Sequence, residues 1–253
     1  MVPSGGDVDD HGQSQRIITH QIILHTSDES RASSGSRDWR LYSRCFTPPR
    51  VMYDLHPHLD AEVQPGTNIL LTGPPLAGKR ARCLDLLAAG TEQGEGSIVV
   101  TTKDSADRIL EQFAERTSYE SRPVAVVDCV TKQQGDEVPE RDRVKYASSP
   151  VDMTGIGIQL SEFLQAFYQD RNIERNRVML HSLTTLLMYS DLQTVFRFLH
   201  VFTGRVQSVD GLGLYCIDET AHDQQTLNTL KQLFDGVVEV QEHADPIVHL
   251  ADA

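Results

Sequence analysis

From residue 52 onward, short apolar runs alternate with stretches in which apolar residues recur at helical spacing. Apolar runs of about four to eight residues are typical of buried strands, and helical spacing is typical of amphipathic helices. The predicted strands are NILLT (68–72), SIVVTT (97–102), PVAVVDCV (123–130), RVMLHSL (177–183) and GLGLYCID (211–218), and the predicted helices span 79–90, 104–118, 155–171, 194–209 and 222–234.

Strands separated by helices imply parallel pairing with right-handed crossovers. The pattern therefore predicts an α/β fold, with a mostly parallel twisted sheet and helices on both faces. DGVVEVQ and PIVHL, near the carboxyl terminus, predict a closing β-hairpin. In such sheets ligands bind beyond the carboxyl ends of the strands, so functional side chains are expected in the segments that follow them.

Three features leave more specific expectations. Gly90 is predicted to end the first helix as its C′ residue. Residues 131–150 are polar and contain Gly and Pro, which predicts a long surface loop of the kind that is usually functional or mobile. The apolar residues of the helix at 194–209 either pack in the core or form a surface for a partner.

The first 51 residues differ in composition from the rest of the chain. They contain six acidic residues, six arginines and no lysine, whereas residues 52–253 contain 30 acidic and 17 basic residues. This segment is either a disordered extension or a translation of sequence upstream of a natural start at Met52. We predict one domain at 52–253 and a disordered or non-native extension at 1–51.

The whole chain of 253 residues has a net charge of −13, with five lysines against eighteen arginines. An acidic, lysine-poor surface is typical of proteins in a high-salt cytoplasm, although an acidic mesophilic protein is the alternative. Nucleic-acid binding is not expected, because it needs a basic surface.

No apolar run approaches the roughly 18 residues of a membrane span, and the polar, acidic start of the chain is not a signal peptide. The cysteines are widely spaced, which predicts reduced thiols that fill the core. We therefore expect a cytoplasmic protein without a membrane anchor. The four cysteines are Cys45, Cys83, Cys129 and Cys216.

GPPLAGKR (73–80) lies between the first predicted strand and the first predicted helix. It differs at one position from the phosphate-binding loop G-x-x-x-x-G-K-[ST], whose last hydroxyl binds Mg²⁺. Arg80 stands at that position, and a guanidinium has no acceptor atom with which to bind a cation. The alternative is that the segment is only a tight turn. The predicted nucleotide-binding residues are Gly73, Pro74, Pro75, Leu76, Ala77, Gly78, Lys79 and Arg80.

Residues 52–253 resemble the RecA-superfamily ATPases of the KaiC/GvpD type, and more closely the haloarchaeal KaiC-like proteins described as HTR-like. The resemblance implies a RecA-like P-loop fold and a nucleotide such as ATP as the ligand. It is carried by PGTNILLTGPPLAGKR (65–80), SIVVTTKDSADRIL (97–110), SPVDMTGIGIQLSEFL (149–164) and NRVMLHSLTTLLMYSD (176–191).

The resemblance also implies an acidic pair after the second strand, one member of which polarises the attacking water. Here the triplet is Lys103-Asp104-Ser105. A lysine is not a base for water at neutral pH unless its pKa is strongly depressed. Asp104 is either a substitute catalytic carboxylate or the N-cap of the next helix, and we favour the cap.

A second implied feature is a Walker B aspartate, which holds the water shell of Mg²⁺. His181 stands at this position, followed by Ser182, and together they form a degenerate Walker B. Neutral imidazole prefers softer metals than Mg²⁺, and no second metal ligand with clear spacing is visible. We therefore predict no metal site and interpret His181 as a hydrogen-bonded side chain below the loop.

These departures affect both positions that bind the metal and one catalytic carboxylate. We therefore expect little or no ATP hydrolysis, and a regulatory or signalling role through an unknown protein partner or a homo-oligomer. An active ATPase that uses Asp104 is one alternative, and an interaction module without a ligand is another.

Overall fold

The structure is a computed structural model that describes residues 51–118, 122–135, 138 and 141–250. The chain divides into a unit of residues 1–46 and a unit of residues 47–253, and every described residue belongs to the second. The prediction for residues 1–51 therefore lies outside the described residues, apart from Val51.

The second unit contains an eight-stranded sheet with the strand order β10-β9-β3-β8-β7-β4-β5-β6. All neighbouring strands pair in parallel except β9 and β10, which form the carboxyl-terminal hairpin. A separate two-stranded antiparallel sheet pairs β1 with β2. The strands are β1 Tyr53–Asp54, β2 Glu62–Val63, β3 Asn68–Thr72, β4 Gly96–Thr101, β5 Val124–Asp128, β6 Val144–Tyr146, β7 Asn176–His181, β8 Leu212–Cys216, β9 Gly236–Glu239 and β10 Ile247–Leu250.

Helices cover both faces of the large sheet. On one face α1, α2 and the β1–β2 sheet bury a core that includes Leu84 and Phe113. On the other face α3, α4, α5 and α6 bury a second core around Phe163, Leu199 and Tyr215. The predicted fold class, with its mostly parallel sheet and closing hairpin, is thus confirmed. The helices are α1 Lys79–Glu92, α2 Ala106–Ala114, α3 Met153–Arg171, α4 Leu183–Tyr189, α5 Leu192–Ser208 and α6 Gln224–Lys231.

A buried ion pair joins the elements at the amino ends of the strands. Arg177 in β7 is fully buried, and its guanidinium pairs with the carboxylate of Glu95 and donates to the carbonyl oxygens of Leu86 (2.8 Å) and Asp54 (3.0 Å). Arg175 pairs with the other carboxylate oxygen of Glu95 at 2.9 Å. This network connects β7 with α1 and β1.

Gly90 is an interior residue of α1 and does not end it, so the predicted C′ role is wrong. The helix continues to Glu92 and has Gln93 as its C-cap. A Cβ atom at position 90 would lie 2.3 Å from Nε of Arg177. The glycine is therefore needed for the close approach of the buried arginine.

Several short elements lie where the sequence did not predict them. The segment 131–150 was expected to be a loop, but it contains a 3-10 turn at Thr131–Gln134 and the short edge strand β6, which pairs in parallel with β5. The short helix α4 follows β7 directly.

Candidate phosphate-loop site

The predicted loop, Gly73–Gly78, connects β3 to α1 at the carboxyl edge of the sheet. A Cβ atom at Gly73 would lie 2.1 Å from the carbonyl oxygen of Val240, so only glycine fits there. Leu76 and Gly78 have φ values of 67° and 88°, and the Leu76 side chain is 96% exposed. Because α1 has no side-chain cap, its first N–H groups point into this loop without a capping acceptor from a side chain.

The Lys79 ammonium group lies across the loop and uses its three donor positions within the chain. It donates to the carbonyl oxygens of Gly73 at 2.8 Å and Pro74 at 2.6 Å, and it pairs with Oδ1 of Asp218 at 2.8 Å. Only 7% of the side chain is exposed. The lysine side chain therefore connects the end of the loop to its beginning and to Asp218, and we call this arrangement the closed state of the loop.

Asp218 is a site residue that sequence reasoning missed. It follows β8, the strand next to β3, and its backbone N–H donates to Oγ1 of Thr184 at 2.9 Å. The neighbouring Glu219 N–H donates to the Gly73 carbonyl oxygen at 3.1 Å. The available signal was the rule that carboxyl ends of adjacent parallel strands meet, since the predicted strand GLGLYCID ends in this aspartate.

Asp104 is held between two arginines. Arg80 pairs with its Oδ2 atom, and Arg108 approaches its Oδ1 atom at 3.1 Å. The prediction that Asp104 caps α2 is wrong, because the N-cap is Ser105, whose side chain accepts the N–H of Arg108. Asp104 is thus a shared counter-ion of Arg80 and Arg108.

His181 lies at the end of β7, as predicted, but not in the expected hydrogen bond. Its Nδ1 atom is buried and has no partner among the described residues. Burial lowers the pKa of His181 to about 4, and the positive charge of Arg80 acts in the same direction. The imidazole is therefore neutral at pH 7.

Ser182 is used locally. Its N–H donates to Oγ1 of Thr102 at 2.8 Å, and its side chain accepts the N–H of Thr185 as the N-cap of α4. Lys103, the first residue of the Lys103-Asp104-Ser105 triplet after β4, is exposed.

At the two positions that the resemblance assigns to Mg²⁺ binding, Arg80 presents a guanidinium and His181 an imidazole, and neither is the oxygen ligand that Mg²⁺ prefers. Elsewhere in the described ranges, no group of three or more His, Cys, Asp or Glu side chains could hold a metal ion. The arrangement can place positive charge near a phosphate. The carboxylates of Asp104 and Asp218 are both already in ion pairs.

A second concavity lies between α3 and α5, with a volume of about 440 Å³. Val195, Leu199 and Phe202 of α5 are buried, which confirms core packing for most of its apolar face, whereas Ile158 and Val201 at this groove are 52% and 60% exposed. No described helix is both long and apolar enough to cross a bilayer.

A family model described as "Family of unknown function (DUF7504)" matches residues 66–240. No curated protein matches the sequence.

Among solved structures, an uncharacterized protein of Pyrococcus horikoshii, PH0321, solved in complex with an unknown peptide, has a TM-score of 0.53 at 13% identity. That similarity covers 68% of this chain and 77% of the other. The KaiC-like protein PH0186 of Pyrococcus horikoshii OT3 has a TM-score of 0.49 at 14% identity, over 73% of this chain and 78% of the other. These similarities concern the fold.

Proposed function

The chain belongs to the family of unknown function DUF7504, and we propose that residues 52–253 are a cytoplasmic RecA-like regulatory domain. In this proposal the phosphate loop binds a nucleotide such as ATP without hydrolysing it, and the domain acts through contacts with other proteins. The acidic, lysine-poor composition supports an origin in a high-salt cell.

The observation that carries the proposal is the Arg80–Asp104–Arg108 arrangement. A water-polarising carboxylate must be able to accept a proton from water, but Arg80 pairs with one oxygen of Asp104 and Arg108 pairs with the other. The Arg80 guanidinium also has no oxygen with which to bind a metal ion. The side chains around the loop therefore support the proposal that the domain does not hydrolyse ATP.

Nucleotide binding is supported by the charges that remain. Lys79 and Arg80 are adjacent at the start of α1, a helix end that favours anions. A phosphate group that displaced Asp218 would pair with the Lys79 ammonium in its place. Because this attraction needs no cation, binding should be independent of Mg²⁺.

A second candidate function is an interaction module without a ligand. The observation that favours it is the complete internal use of the Lys79 donors, which leaves the ammonium group no unmet requirement. The structural neighbour PH0321 was solved in complex with an unknown peptide, which is a protein contact of the kind that such a module would make. Either function would act through protein contacts.

The deciding experiment measures binding and turnover of labelled ATP by the full chain in concentrated KCl. We expect binding that is unchanged by EDTA, no phosphate release above background, and a loss of about tenfold or more in affinity for Lys79→Ala, because hydrogen bonds to charged groups contribute roughly 1.5–3 kcal/mol. Lys231→Ala, at the far end of α6, removes the same charge as a control and should bind normally.

The other outcomes separate the alternatives. Phosphate release that requires Mg²⁺ and disappears in Lys79→Ala would establish an active ATPase. Absence of ATP binding by the folded wild-type chain would favour the module without a ligand.

A further inference from the structure

Two cysteines pack against each other directly below the phosphate loop. The Sγ atoms of Cys83 and Cys216 are 3.5 Å apart, and both residues are at most 1% exposed. Cys83 lies one helical turn after Lys79 in α1, and Cys216 ends β8, two residues before Asp218. The pair therefore joins the two elements that carry the Lys79–Asp218 ion pair.

We propose that Cys83 and Cys216 are a redox modification site, at which hydrogen peroxide converts the two thiols into a reversible disulfide between α1 and β8. The sulfur atoms need to approach by only about 1.5 Å to reach the disulfide bond length. Cys129 provides the contrast, since its sulfur atom contacts the Val127 carbonyl oxygen at 3.9 Å. This inference is independent of nucleotide binding.

The reaction balances with one peroxide per disulfide. The first thiol loses its proton, and the thiolate attacks a peroxide oxygen and breaks the O–O bond, which yields a sulfenic acid and hydroxide. The hydroxide takes up the released proton and becomes the first water. The second sulfur then attacks the sulfenic sulfur, forms the S–S bond and releases a second water with the remaining thiol proton. The two sulfur atoms together lose two electrons, and these reduce hydrogen peroxide to two waters.

Burial controls the rate of this reaction. It raises the pKa of the Cys83 thiol, so the reactive thiolate is scarce in the closed structure. Oxidation must follow transient opening of the first turns of α1, which begin without a side-chain cap. Hydrogen peroxide is small enough to enter through a limited opening. Because the second sulfur lies next to the first, the sulfenic acid forms a disulfide and is not oxidised further.

Peptide mapping tests the proposal on the full chain. The reduced protein is treated with hydrogen peroxide, alkylated, digested with trypsin and analysed by mass spectrometry. Cleavage after arginine and lysine places Cys83 in peptide 83–103 and Cys216 in peptide 206–231, apart from Cys45 and Cys129. We expect these two peptides to be linked with the loss of two hydrogens, and the link to disappear on treatment with dithiothreitol.

A thermal measurement and two variants complete the test. The disulfide closes a long loop, so the oxidised protein should melt roughly 5–10 °C higher than the reduced protein. Cys129→Ser should retain both the link and the shift, and Cys216→Ser should lose both. Mapping of the wild-type chain needs no variant. If Cys83 and Cys216 both remain free for alkylation, become sulfinic acids, or link only to Cys45 or Cys129, the proposal is wrong.

Discussion

At the scale of single residues, the loop is distinguished by cations that already have partners. Lys79 pairs with Asp218, and Arg80 pairs with Asp104. An anionic ligand must therefore compete with carboxylates of the same chain. Asp218 competes for Lys79 from a fixed position, because its backbone N–H is hydrogen-bonded to Thr184 and its side chain contacts the lysine ammonium group.

Asp218→Asn should accordingly increase the affinity of the loop for ATP or pyrophosphate. Removing the paired carboxylate releases the Lys79 ammonium, and we expect a gain of about tenfold, equivalent to one charge-assisted contact. Titration calorimetry measures it. Glu219→Gln removes the same charge one residue further on, and an equal gain in that control would show a general effect of charge and not of the ion pair.

His181 makes stability depend on pH. Its folded-state pKa of about 4 lies below the ordinary value of 6.5, so between these values the unfolded chain binds the proton and the folded chain does not. The contribution to the free energy of unfolding is therefore fully present above pH 6.5 and is lost as the pH falls towards 4, by up to about 3 kcal/mol.

Urea unfolding at several pH values checks this expectation. In His181→Gln the dependence between pH 6.5 and 4 should become shallower by that amount. His200→Gln, on an exposed position of α5, is the matched control and should keep the wild-type profile. An unchanged slope in His181→Gln would show that the imidazole takes up its proton at the same pH in the folded chain as in the unfolded chain.

At the scale of elements, the buried pair of Glu95 and Arg177 secures the amino ends of the strands. Glu95→Ala would leave the fully buried guanidinium without its counter-ion, and we expect a loss of about 3–5 kcal/mol. Glu162, paired with Lys145 at half-exposed positions, is the comparison, and Glu162→Ala should cost about 0–1 kcal/mol. Equal losses in urea unfolding would contradict the assigned role of burial.

The elements that were predicted from sequence are those whose pattern is set by burial. The central strands are apolar because both of their faces are covered, so NILLT and SIVVTT could be recognised as strands from their apolar runs alone. In contrast, β6 has three residues and exists only because β5 offers an edge. Gly90 was assigned to a helix end because its neighbour in space, Arg177, is remote in sequence.

In the candidate site, likewise, features that depend on local sequence were predicted and contacts between distant segments were not. The loop was located between β3 and α1 because its glycine spacing is local. His181 was singled out by the resemblance, whereas the predicted strand continued to Leu183, which in the structure begins α4. The partnership of Asp104 with Arg80 and Arg108, and that of Asp218 with Lys79, depend on how the strands are ordered in the sheet. A single sequence does not specify that order, so the closed state of the loop was not predicted.

At the scale of the whole molecule, the net charge of −13 repels itself at low ionic strength. We expect the free energy of unfolding to rise by on the order of 1 kcal/mol or more between 0.1 and 2 M KCl, because the salt screens this repulsion. Urea unfolding at each salt concentration measures it. A stability that stays level or falls would count against the high-salt interpretation of the composition.

The contact between Gly73 and the Val240 carbonyl oxygen affects how mutagenesis of the loop should be designed. A methyl group at position 73 would collide with the backbone that follows β9, so Gly73→Ala disturbs the join between the loop and the carboxyl-terminal hairpin. Loss of a ligand in that variant would report damage to the sheet as readily as damage to the phosphate cradle. Gly78, around which a Cβ atom would meet nothing within 4 Å, confines the disturbance to the local backbone and is the more informative glycine to replace.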